Sequence, residues 1–267
     1  MLLDKGPDMT LNIPFSLLDS LHMIAVRAGQ EIMTIYNTDF DVEVKGDDSP
    51  VTQADKLAEN LITQAIREEV TDKYPIIGEE AFSDGQAPEL DGGPFWLVDP
   101  LDGTKEFVKK TGEFTVNIAL IDLGKPVVGV VHTPVSGNVF MGSPLGAFAD
   151  LGNGPAQINC RTFPPEGLTA MVSKSHKTPE TDEYLSQYTI REETGAGSSL
   201  KFCMIARGLA DIYPRLGRTM EWDTAAAHAV LKAAGGSVCD LDGNELMYGK
   251  AGFENPHFVA KGIETVS

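Results

Sequence analysis

With 267 residues, 42% hydrophobic and 22% charged, the chain has room for one large domain or two joined halves and the composition of a globular protein. A net charge of -18 argues against a basic patch for nucleic-acid backbones. It also repels anionic substrates at long range, so a chain this acidic needs cations or a local basic pocket to act on phosphates, although plain solubility also accounts for an acidic surface.

Cys160, Cys203 and Cys239 are far apart and lack Cys-x-x-Cys spacing, which reads as free thiols in a reducing compartment. Residues 1–12 carry acids and a Gly-Pro pair in place of a basic segment followed by a long apolar run. No stretch approaches a membrane span. The expectation is a cytoplasmic protein, with peripheral attachment to the inner face of the cell membrane left open, as is the choice between monomer and homodimer.

In chain order, Leu17, Leu18, Leu21, Ile24, Ala25, Ala28, Ile32 and Ile35 predict a helix from Ser16 to about Tyr36, with Ser16 and Asp19 spaced as a capping box. Residues 39–44 alternate like a short strand, and 46–50 form a loop. A second helix is predicted from Thr52, with Leu57, Leu61, Ile62, Ala65, Ile66 and Val70 as its apolar stripe. Asp55 then falls in the first turn, where an acid complements the helix dipole without any further role. Residues 74–78 predict a brief strand ending in Glu79 and Glu80, and 81–93 an exposed loop.

The stretch from Phe95 to Phe107 is the hub of the chain. Four apolar residues predict a buried strand that stops at Asp99, Pro100 and Asp102. Pro100 pushes Asp99 into an extended conformation, and Gly103 permits a tight turn before Thr104, placed to cap a helix over 105–108. Asp-Pro and Asp-Gly pairs are also common turn chemistry. Two carboxylates at a buried strand end nonetheless call for a cation, and free helix-start amides attract phosphate.

Beyond it, 114–121 and 126–132 predict strands joined by a hairpin, with further strands near 139–141 and 146–149. These give a first half, 1–150, of helices and a largely antiparallel sheet. After the loop at 151–155, a second half, 151–267, alternates strands at 168–173 and 210–213 with helices at 178–188 and 200–208, and with an alanine-rich helix opened by Trp222, Asp223 and Thr224 and closed by Gly235 and Gly236.

Gly78-Glu79-Glu80, Val98-Asp99-Pro100-Leu101-Asp102-Gly103-Thr104 and Glu221-Trp222-Asp223 occur in the order and approximate spacing of the inositol monophosphatase superfamily, which the chain resembles over nearly its whole length. The run Gly-Ser-Ser-Leu-Lys-Phe at 197–202 and the segment 213–226 are similar to bisphosphate nucleotidases of the CysQ type. The resemblance implies an α/β fold, an α+β sandwich of alternating α/β/α/β/α layers. It implies two or three magnesium ions held by Glu79, Asp99, the Leu101 carbonyl, Asp102 and Asp223, a donor set of hard oxygens that suits magnesium. It also implies hydrolysis of a phosphate monoester by a metal-activated water, oriented by a relay of Thr104 and Asp55 with Glu79 beside it, which gives Asp55 a role beyond capping.

Substrate choice falls to the second half. Leu101, Asp102, Gly103, Thr104, Ser173, His176, Gly197, Ser198, Lys201, Arg215 and Asp223 match positions that contact a nucleotide in these relatives, and Lys or Arg suits a retained phosphate. His176 reads equally as a solvated loop histidine, and Gly197 to Ser199 as a plain helix cap. Arg218 departs from the pattern, standing where a proline is expected. The implied reaction removes the 3'-phosphate of adenosine 3',5'-bisphosphate, and its sulfated analogue is a further candidate substrate. The rivals are an inositol or sugar monophosphatase on the same scaffold and a non-catalytic nucleotide or metal sensor.

Overall fold

A computed structural model of the chain describes residues 11, 13–38, 50–173 and 178–264. The expected strand at 39–44, the loop at 46–49 and His176 lie outside these residues.

Two long apolar stripes build the outermost layer. Helix α1 (Phe15–Tyr36) buries Leu17, Leu21, Ile24, Ala28 and Ile32, and α2 (Pro50–Ala65) packs on it, continuing as a wider π-turn over Ile66–Val70. Neither helix starts at the residue the sequence predicted. Pro14 is the N-cap of α1, which places Ser16 within the first turn. α2 begins at Pro50, the position where a missing N–H costs nothing. Asp55 is therefore the sixth residue of its helix and lies beyond capping range.

Seven strands form the next layer in the order β1 to β7: β1 (Ile76–Gly78), β2 (Phe95–Asp102), β3 (Thr115–Asp122), β4 (Lys125–Thr133), β5 (Asn138–Ser143), β6 (Gly146–Asp150) and β7 (Pro155–Ile158). β1 and β2 are parallel and the remaining pairs antiparallel. Continuous apolar runs fit a sheet covered on both faces. Along β2 the burial alternates by layer, Trp96 and Val98 packing with α1 and α2, and Phe95 and Leu97 packing on the opposite face. β7 belongs to this sheet although it lies past residue 150.

On that opposite face lie α6 (Leu200–Ala206) and α7 (Ala225–Ala233). The alanine run lets α7 approach closely. A Cβ at Gly129 of β4 would stand 2.1 Å from the Ala226 carbonyl oxygen.

A second sheet covers these helices with strand order β11, β12, β10, β8, β9, formed by β8 (Leu168–Val172), β9 (Ile190–Gly195), β10 (Ile212–Arg215), β11 (Ser237–Asp240) and β12 (Phe258–Lys261). α5 (Pro179–Leu185), capped by Thr178, packs on its outer face through Leu185 against Leu168, Ala170, Ile212 and Val259. The expected layered α/β architecture is thus present. Strands β7, β9, β11 and β12, and the short helix α3 (Glu79–Ser83) within the expected loop, were not anticipated.

Candidate active site

The register of β1 on β2 pairs Gly78 with Val98, so Glu79, just past the end of β1, and Asp99, the next residue of β2, come side by side. β2 does not stop at Asp99. It continues through Pro100 to Asp102, and its pairing with β3 shifts between Asp99 and Asp102. That irregularity turns Asp102 toward the second half, where the Ser199 N–H donates to its carboxylate at 2.6 Å.

Gly103, with φ 100°, is the N-cap of α4 (Thr104–Val108), and Thr104 is its first helical residue, not the predicted cap. The Thr104 side chain is exposed and lines the cleft. Asp223 comes from the loop before α7, where its carboxylate accepts the Met220 N–H at 2.8 Å.

The acids respond to each other. Burial, then the charges of Asp223 and Asp102, push the Glu79 carboxyl up to about 8. Burial and Asp223 raise Asp102 to about 7, and burial raises Asp223 to about 6. Asp99, fully buried, is raised by burial and by Glu79, Asp102, Asp223 and Asp55 together.

One Asp99 oxygen accepts the Leu101 N–H at 3.1 Å. The other, Oδ2, is buried without a hydrogen-bond partner among the described residues. The Glu79 and Asp99 carboxyls are close enough to share a proton. A buried acceptor beside a second carboxylate calls for a proton or a cation. Among the described residues no three acidic, His or Cys side chains already form a coordinating cage. Magnesium does not need one, because it retains waters and takes one or two carboxylates at a time. The donor set fits that ion.

Asp55, 8% exposed, is raised by burial and by Glu79, Glu80 and Glu59, which places it near these acids. No hydrogen bond joins it to Thr104 among the described residues.

The cleft of about 250 Å³ runs from Asp102, Thr104 and Asp223 to Ser173, Gly197, Ser198, Lys201 and Arg215, so these predicted residues share one cavity. Lys201 is buried, donates to the Ser198 carbonyl at 2.5 Å and stands 5.1 Å from the Tyr213 ring centroid. Burial lowers its ammonium to about 8 against the pull of Asp102. Gly197 uses its N–H on the Glu113 carboxylate at 3.1 Å, so it bounds the cavity while bonded to the protein. Arg218 binds Glu254 at the surface.

Sequence reasoning missed Glu59, Glu113, Asn117 and Thr219, and read Ser199, the N-cap of α6, only as part of a helix-start run. Ser199 Oγ donates to Asn117 Oδ1 at 2.6 Å beneath Asp102, and the Thr219 hydroxyl, at the cleft wall, is buried without a partner among the described residues. Glu59 had a legible signal, an acid four residues after Asp55 on the buried face of α2. Glu221, prominent in the third motif, is bound by the Gly249 and Lys250 amides and the Lys250 ammonium.

The model of the inositol monophosphatase family matches residues 16–264. The chain belongs to the inositol monophosphatase family. Within it, the chain is 44% identical over 245 residues to the 3'(2'),5'-bisphosphate nucleotidase CysQ of Escherichia coli K12, covering 91% of this chain and 98% of that one. It is 38% identical to the CysQ nucleotidase of Buchnera aphidicola, covering 96% and 97%.

Among solved structures, CysQ from Bacteroides thetaiotaomicron, a bacterial member of the family, superposes with a TM-score of 0.82 at 34% identity, covering 94% and 99% of the two chains. An inositol monophosphatase from Zymomonas mobilis, at 24% identity and a TM-score of 0.77 over 93% of each chain, shares the family fold. No described helix is long and apolar enough to cross a membrane.

Proposed function

We propose that this chain is a magnesium-dependent 3'(2'),5'-bisphosphate nucleotidase that hydrolyses adenosine 3',5'-bisphosphate to AMP and phosphate, and that also accepts the sulfated analogue. The observation that carries the reading is one cleft lined both by carboxylates, Asp102 and Asp223, and by cations, Lys201 and Arg215. A nucleotide with two phosphates has one ester to cleave and one anion to retain, and the two kinds of charge in the cleft answer to these. The relatives at 44% and 38% identity, both named as such nucleotidases, support it.

Glu79, Asp99, Asp102, Asp223 and the Leu101 carbonyl would hold the metal. When bound, magnesium neutralises charge on the phosphoryl oxygens and acidifies the attacking water. Thr104 presents its hydroxyl to the cleft to orient that water, and Asp55, buried near Glu79, acts with it to accept the water's proton. Arg215 and Lys201 hold the retained phosphate.

The test is phosphate release with magnesium from adenosine 3',5'-bisphosphate, inositol 1-phosphate and fructose 1,6-bisphosphate. The expected result is a kcat/KM for the nucleotide at least about 100-fold above the others, close to 3 kcal/mol of discrimination. Preference for the inositol ester would reassign the enzyme within its family, and tight nucleotide binding without phosphate release would make it a sensor.

A further inference from the structure

Helix α3 has five residues, too few to sustain itself in water. Its N-cap, Gly78, has no side chain with which to bond the free amides of the first turn. Those bonds come from α2. Glu59, 7% exposed, accepts the Glu80 N–H on Oε2 and the Ala81 N–H on Oε1, each at 2.8 Å.

These are the second and third amides of α3, the ones a capping side chain normally satisfies. Glycine at 78 belongs to the same fit, since a Cβ there would lie 2.3 Å from Glu59 Cδ. One carboxylate from another helix thereby fixes where α3 begins, and the residue at that beginning is Glu79.

We propose that Glu59 is a positioning residue for the metal site: by capping α3 from α2 it holds the Glu79 carboxylate beside Asp99, and so sets magnesium affinity without touching the ion. This rests on the reading of Glu79 as a metal ligand. A buried acid that only stabilised the fold would leave metal affinity unchanged. Residues behind metal ligands typically contribute 10- to 100-fold to affinity.

The test is magnesium titrated by isothermal calorimetry into the metal-free full chain, without substrate, for the parent and for Glu59→Gln and Glu59→Asp. Glutamine keeps the size but turns an NH2 group toward one of the two N–H donors, and aspartate keeps the charge but is one methylene too short to reach both. Both variants are expected to bind magnesium about tenfold more weakly. The magnesium concentration for half-maximal activity should rise in step, while KM for the nucleotide at saturating magnesium stays within about twofold.

Unchanged magnesium affinity with only a lower unfolding temperature overturns the proposal. A parent that binds no magnesium overturns the metal site and this inference with it. If the glutamine variant does not fold, the aspartate variant, which retains the buried charge, decides.

Discussion

Thr104 can offer its hydroxyl to the cleft because Gly103 has taken over the helix cap. With φ at 100°, the turn needs glycine, and the shift by one residue leaves Thr104 exposed at the first helical position. If its role is to orient water, Thr104→Ala should lower kcat about 10²- to 10³-fold with KM within about threefold, as steady-state kinetics at saturating magnesium would measure. A comparable rise in KM would make it a binding residue. At this scale Glu79, Asp99, Asp102 and Asp223 stood out in sequence through three family-like motifs, Asp99 and Asp102 also as acids at the end of a buried strand. Glu59 stood out less, because its importance lies in amides supplied by a segment twenty residues away.

The element that delivers Asp223 is held from behind. The His228 Nδ1 lies 2.9 Å from the Tyr248 hydroxyl, which is 3.3 Å from Thr224 Oγ1, and Asn255 bonds both Thr224 Oγ1 and the Met220 carbonyl. Burial holds the His228 imidazolium down to about 3. The unfolded chain, near 6.5, binds this proton between those two values and the native chain does not. Stability contributed by neutral His228 is therefore full above about pH 6.5 and is lost as pH falls toward 3. His228→Gln retains a hydrogen-bonding group without that titration. The stability gap between parent and variant in denaturant unfolding should narrow from pH 7 to pH 4.5, by at most about 1.4 kcal/mol per pH unit. A pH-independent gap would show that His228 titrates in the fold as it does in the unfolded chain.

In the whole molecule the two halves meet at the acids. Ser199 of the second half bonds Asp102 of the first, and Phe82 of α3 packs 5.3 Å from Trp222, beside Asp223. With Glu79, Asp102 and Asp223 raised to about 8, 7 and 6, the metal-free native chain holds protons that the unfolded chain has released. Its stability therefore falls as pH rises from about 4 to 8. If, as proposed, magnesium takes the place of those protons, it should raise the unfolding temperature more at pH 8 than at pH 6. At 100 times Kd the gain is about 2.7 kcal/mol, or roughly 5–10 °C for a chain of this size. Differential scanning calorimetry with magnesium or with chelator measures this, and an equal shift at both pH values would place the ion away from these carboxylates.

Period and burial determined most of the architecture in advance. The apolar stripes of α1 and α2 and the unbroken runs of β2 to β4 admit few arrangements other than helices stacked on a doubly covered sheet, because so much apolar surface cannot stay in water. Sequence could not supply the short polar strands β7, β9 and β11, whose place comes from a neighbour's free backbone edge and not from their own side chains. Nor could it supply the cap of α3, the shift in register that turns Asp102, or the crossing of Asp223 from the far half. Each of these depends on backbone groups brought together by distant segments, and hydrogen bonds of that kind exist only once the chain has packed.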